Sequence, residues 1–215
     1  MSAFNPNVEA IVAFHPDLVI LNSTATKADA VKSALLALNI PVYYETAPNN
    51  ISEAYAEILD LGEKVGHKNE AIALVAKMKR EIAATIKSTR KKKAITFFHE
   101  LDNTLYSATS ATFIGKVYKD FNLSNIADAA SKADDAGYPQ LQSEYIIKAN
   151  PSVIFLADAE YGESLKTVSK RAGWSKITAI TKKRVIALPS DIPSRWGPRL
   201  VDFYKFISTA IAPIK

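Results

Sequence analysis

Residues 194–199 read SRWGPR and set a tryptophan, Trp196, between two guanidinium groups, Arg195 and Arg199. An indole gives a flat apolar platform, and guanidinium forks bind carboxylates and phosphates. That suits a large ring-bearing anionic ligand. The alternative is local: Trp196 packs on the helix that follows and Arg199 pairs with Asp202. Tyr106 and Tyr138 offer the same mixture of apolar face and hydroxyl, although Tyr138, before Pro139, also fits a turn residue packed on a sheet. Trp174, in Ala-Gly-Trp at a helix end, reads as core. His99, Glu100 and Asp102 are the closest thing to a metal-ligand group, but adjacent strand residues point to opposite faces, so His99 and Glu100 cannot readily share one ion. A ligand whose metal arrives already coordinated is the better expectation.

Other chemistries find no support. The seven glycines never fall in a G-x-G spacing, cysteine is absent, and no G-x-S-x-G elbow or nucleophile–base pair is visible, so a catalytic role is not expected. The net charge of +5 comes from scattered lysines apart from the run Arg90-Lys91-Lys92-Lys93. That run stands between a helical and a strand pattern and reads as a solvated linker, with nucleic acid not expected as a partner. No apolar run is long enough to span a bilayer, and MSAFNPNVEA lacks the basic and apolar regions of a signal peptide.

The elements that must position these residues follow from periodicity. Strands are predicted at 18–21, 41–45, 94–98, 152–157 and 184–188. Helices are predicted at 28–38, 52–65, 68–90, 112–121, 144–149, 163–171 and 199–211, with 124–141 as loop. Strand, helix, strand at this spacing predicts parallel sheets in an α/β fold. The helix at 68–90 carries Ala71, Val75, Met78, Ile82 and Ile86 on one stripe, as either a strut between two lobes or a cover on a single sheet.

Two segments share one pattern: EAIVAFHPDLVIL at 9–21 and EYIIKANPSVIFL at 144–156. Each is a short helix, a proline that stops it, and a buried strand. This favours two related lobes. The second copy is preceded by a strand and a helix within 94–143, the first only by residues 1–8. The first lobe is therefore expected to be incomplete, with an open sheet edge: either the start is trimmed, or the gene start is misassigned, or another chain covers the gap in an oligomer.

The run NPNVEAIVAFHPDLVIL, with TFFHELDNTLYS, GYPQL, EYIIKANPSVIFL and SRWGPR in order behind it, resembles the helical-backbone solute-binding proteins of ABC importers, which bind cobalamin, ferric siderophores or haem. The resemblance implies two α/β lobes joined by a long helix: a partial N-terminal lobe at 1–66, the connecting helix at 67–91 and a C-terminal lobe at 92–215. It implies a metal-chelate ligand in the cleft between lobes, cobalamin before siderophore or haem, with no resident cofactor. It also implies an extracytoplasmic location for the complete protein and a membrane permease as partner, engaged through surface glutamates. Glu9, Glu53, Glu144 and Glu163 are candidates, with helix-end stabilisation as the alternative for Glu9 and Glu144. Ligands of open α/β sheets lie beyond the carboxyl ends of the strands. This selects the loops 22–26 and 45–46 in the first lobe, with Asn22, Ser23, Thr24 and Glu45, and the loops 99–106, 158–161 and 189–196 in the second, with Tyr106, Arg195 and Trp196; Tyr138 and Arg199 are candidates beside them.

Overall fold

Short apolar runs set the strands. In the computed structural model, which describes residues 5–189 and 196–214, β1 (Val19–Asn22) and β2 (Val42–Glu45) pair in parallel from Val19↔Val42 to Asn22↔Glu45. The crossover is α2 (Ala28–Ala37), which buries Val31 and Leu35 with Leu21 of β1. Ahead of β1 lies α1 (Val8–Val12), where the Asn7 side chain accepts from Ala10 N at 2.8 Å and caps the free amides of the first turn.

Two helices follow. α3 (Ile51–Lys64) is capped by Asn50, whose side chain accepts from Ser52 N and Glu53 N. α4 (Lys68–Thr89) has 22 residues, so its length is about 33 Å. Gly66, at φ 79°, makes the turn between them. At Gly62 a side chain would stand 2.3 Å from the Ala71 Cβ, so glycine is what lets the two helices close. Ala71, Val75, Met78 and Ile82 are buried along α4, on the stripe that the spacing predicts. The chain divides into two compact units, Met1–Val75 and Ala76–Lys215, and the division falls within α4.

In the second unit β3 (Ile95–Glu100), β4 (Leu123–Asn125), β5 (Val153–Leu156) and β6 (Val185–Ala187) form a parallel sheet in the order β4-β3-β5-β6. Helices α5 (Phe113–Asp120), α6 (Ser143–Ala149), α7 (Leu165–Val168), α8 (Thr178–Thr181) and α9 (Leu200–Ile211) supply the crossovers and the closing element. Strand alternation divides the core. Phe97 and Phe155 stack with Tyr118, which also meets Phe203, while Phe98, Ile154 and Leu156 pack with Trp174 and Ile146. Trp174 is fully buried, as its sequence context indicates, and its indole N–H donates to Ser143 Oγ at 2.7 Å.

Three segments differ from the sequence reading. Residues 124–141 are not all loop, because Leu123–Asn125 pairs with β3 and a 3-10 turn, Ile126–Ala129, follows. A three-residue strand shows too little alternation to be seen. The helix expected at 163–171 contracts to Leu165–Val168, held by reciprocal Ser164 and Thr167 caps. β3 runs on to Glu100, so His99 and Glu100 are strand residues and not the start of a loop.

Candidate functional site

Parallel strands place their following loops at one end of each sheet. At that end of the first unit, the register sets Asn22 against Glu45. Asn22 Nδ2 donates to Glu45 Oε2 at 3.3 Å, and Asn22 Oδ1 accepts from Thr24 N at 2.8 Å and Thr24 Oγ1 at 2.6 Å. Ser23 N donates to the Glu45 carbonyl at 2.8 Å. Asn22, Ser23, Thr24 and Glu45 are thus one hydrogen-bonded group, with the Thr24 side chain exposed. Asn22 and Glu45 also border an apolar cavity of about 460 Å³ with Ile11, Phe14 and Ile20. Behind them, burial and the nearby Asp60 and Glu57 carboxylates push the Tyr43 phenol up to about 12.

In the second unit the loop after β3 closes on itself: Asp102 Oδ1 accepts from Thr104 N at 2.8 Å, and Leu101 N donates to the Tyr106 carbonyl at 2.9 Å. Tyr106 then bridges Gln140 in antiparallel fashion, with Ser107 N to Pro139 O at 3.0 Å and Thr109 N to Gly137 O at 2.8 Å. This ribbon carries Tyr106 and Tyr138, which are 41% and 45% exposed. It abuts the start of α5, since a Cβ on Gly137 would lie 3.0 Å from Thr112, the α5 cap. Phe113, the first residue of α5, receives the edge of Trp196 at 6.3 Å between ring centroids. Thr112 and Phe113 thus lie between the ribbon at Gly137 and Trp196. The ribbon is fixed by Gly115, where an added Cβ would meet the Thr109 carbonyl oxygen at 1.9 Å. Arg199 is exposed at the N-terminus of α9, and Arg195 lies outside the described residues.

His99 and Glu100 stand apart from these residues. Both are fully buried. His99 Nδ1 shares a 2.9 Å hydrogen bond with the Tyr118 hydroxyl, and burial lowers its pKa to about 4, so the ring is neutral. On the opposite face, Arg171 grips Glu100 with Nη1 to Oε2 at 2.7 Å and Nη2 to Oε1 at 2.6 Å, and reaches Glu163 Oε2 at 2.9 Å. Burial pushes the Glu100 carboxyl up to about 7 despite the paired guanidinium. Asp158, 4% exposed, has neither carboxylate oxygen bonded, and burial raises it too. Sequence reading placed residues 99–106 in a site loop and Glu163 on the surface. The structure instead puts His99 and Glu100 in the core and Glu163 in an ion pair. Arg171 escaped notice because its partner lies 71 positions away. Among the described residues no group of three His, Asp or Glu side chains is placed to hold a metal ion.

All-parallel sheets in each unit, with aromatic and polar residues on the loops beyond the strands, define an α/β binding fold. Residues 2–192 match the periplasmic binding protein family, and the chain belongs to that family. It is 32% identical over 216 residues to the uncharacterized ABC transporter substrate-binding lipoprotein YvrC of Bacillus subtilis, covering 97% of this chain and 66% of that one. A cobalamin-binding protein of Halobacterium salinarum is 27% identical, covering 91% of this chain and 53% of that one. The chain thus spans 66% and 53% of the length of these relatives. A solved structure of "a possible iron-binding (periplasmic solute-binding) protein" from Staphylococcus epidermidis superposes with a TM-score of 0.84 at 25% identity, covering 98% of this chain and 82% of that one.

Proposed function

We propose that this chain is the substrate-binding component of an ABC importer and binds a metal-chelate ligand against the loops at the carboxyl ends of its strands, with α4 as the element joining an N-terminal and a C-terminal lobe. The observation that carries this is the series of aromatic faces left in solvent on one rim of the four-stranded sheet: Tyr106, Tyr138 and the half-buried Trp196 on Phe113. A rim of that kind takes a ring-bearing ligand through face contact, and Arg195 and Arg199 supply charge for its acidic substituents. Asn22, Ser23, Thr24 and Glu45 are the corresponding polar contacts of the first unit. Cobalamin is the first choice of ligand, ahead of ferric siderophore and haem, on the SRWGPR and GYPQL segments.

The complete protein works outside the cytoplasmic membrane and delivers its ligand to a membrane permease. Glu9 and Glu144, both exposed in the first turn of their helices, are the glutamates offered to it. A second copy would associate through β1, which among the described residues pairs with β2 alone and has Ile20 exposed.

The two tryptophans make the test direct. Trp174 is buried and hydrogen-bonded, so a ligand at the rim makes contact with Trp196 and not with Trp174, and quenches Trp196 the more strongly. Titration with cyanocobalamin, haemin and a ferric hydroxamate is expected to give saturable quenching with at least one, without ligand turnover. Trp196→Phe is expected to weaken ligand binding and to remove the larger part of the quenching. No response to any of the three, or chemical conversion of the ligand, overturns the reading.

A further inference from the structure

At the other end of the four-stranded sheet, where the strands begin, lies a cavity of about 720 Å³. That is within the range of roughly 300–1,000 Å³ usual for small-molecule sites. Its wall contains Arg90, Lys91, Lys92 and Lys93, which lead into β3, Ser152, which leads into β5, and Arg184, which leads into β6. No carboxylate lines it among the described residues. Lys182 and Lys183 adjoin Arg184 in sequence, and Lys183 turns the chain in the left-handed region at φ 54°.

The basic run is thus no free linker. Lys91 is fixed as part of the wall: its ammonium donates to the Ile214 carbonyl at 2.6 Å and the Ala212 carbonyl at 3.3 Å, and its carbonyl accepts from Asn122 Nδ2 at 2.9 Å. Arg90, Lys92, Lys93 and Arg184 have no carboxylate within ion-pair distance among the described residues. Elsewhere the cations Arg171, Lys68, Lys77 and Lys205 each face a glutamate. Unpaired cations around one concavity repel one another, and the concave wall concentrates their field on the space in front. Two guanidinium forks and mobile ammonium groups match the oxygens of a multiply charged phosphate.

We propose that this cavity is a binding site for a phosphate polyanion, free in solution or displayed as a lipid headgroup, separate from the cargo rim at the opposite ends of the same strands. The test uses the full chain at about 0.15 M salt, where surface attraction beyond about 8 Å is screened. One arm titrates sodium tripolyphosphate by calorimetry. The other measures co-sedimentation with vesicles of phosphatidylcholine alone and of an equimolar mixture with phosphatidylglycerol. Lys92→Gln/Lys93→Gln/Arg184→Gln is expected to weaken binding at least about tenfold, the effect of one good charge-assisted bond. Lys148→Gln/Lys166→Gln/Lys170→Gln, which removes the same charge from exposed positions of the same unit, is expected to bind within twofold of the parent. Tripolyphosphate binding assigns a soluble ligand, and binding to phosphatidylglycerol vesicles alone assigns the headgroup. Absence of both, or equal losses in the two triple variants, overturns the site. Lys92 and Lys93 are exposed, so Lys92→Gln/Lys93→Gln carries the same test if replacing Arg184 disturbs the fold.

Discussion

The helix–proline–strand phrase is built twice, and the two copies end in different surroundings. β5 has β3 on one side and β6 on the other, and all four of its residues are buried. Among the described residues β1 has only β2 as a paired strand, and Ile20 is 53% exposed where its counterpart in the repeated phrase, Phe155, is 0% exposed. Sequence pattern makes the strand in both cases. Neighbours decide what burying it contributes.

The largest contrast is expected at that matched pair. Phe155→Ala removes a ring stacked on Phe97 and Tyr118, which costs about 3–5 kcal/mol, while Ile20→Ala changes stability by less than about 1 kcal/mol. Urea unfolding followed by circular dichroism reads both, and equal losses would break the distinction between the units. Next, Arg171→Gln leaves Glu100 and Glu163 without their cation and is expected to cost about 3 kcal/mol, with recovery at acid pH.

A third prediction separates two adjacent residues. The folded pKa of His99 lies near 4, below its ordinary 6.5, so His99 favours folding fully above pH 6.5 and loses that contribution as pH falls toward 4. Glu100 is raised from 4.5 to about 7, so its contribution is present below pH 4.5 and is lost as pH rises toward 7. The slopes oppose. The parent is expected to be nearly flat between pH 5 and 6.5, His99→Gln to lose stability as pH rises, and Glu100→Gln to gain it, by up to about 2 kcal/mol over the window. Parallel curves for all three would refute the assignment.

The smallest effects are expected in the loops after the matched strands. Asn22 bonds Thr24 and Glu45, so Asn22→Ala costs about 1 kcal/mol. Asp158 has two buried oxygens without partners, so Asp158→Asn is expected to stabilise the chain by about 1 kcal/mol at neutral pH. Thermal melts of the two variants should shift in opposite directions.

What was legible in the sequence follows the same division. The α4 stripe, the parallel sheets, the core role of Trp174 and the family resemblance rest on periodicity and local order, which one chain displays. The Asn22–Glu45 pairing was legible as two loops at one sheet end. The ion pair of Arg171 with Glu100 was not, because nothing local to either residue announces the other. β4 was missed because Leu-Ser-Asn has no room for a pattern. Arg90 to Lys93 read as a solvated run because only the return of Arg184 and of Ala212 and Ile214 beside it turns these cations into a wall.

Gly115 bears on how such a site is free to change over generations. The aromatic residues on its ribbon reach solvent and admit many replacements, each of which would alter recognition at the proposed rim. Position 115 admits none, because even one methyl group would overlap the Thr109 carbonyl. In a library holding every single substitution, the exposed positions proposed to choose the ligand would be richly populated and the one that holds their frame would keep a single residue. New specificities are then reached by walking around a fixed point that never touches ligand.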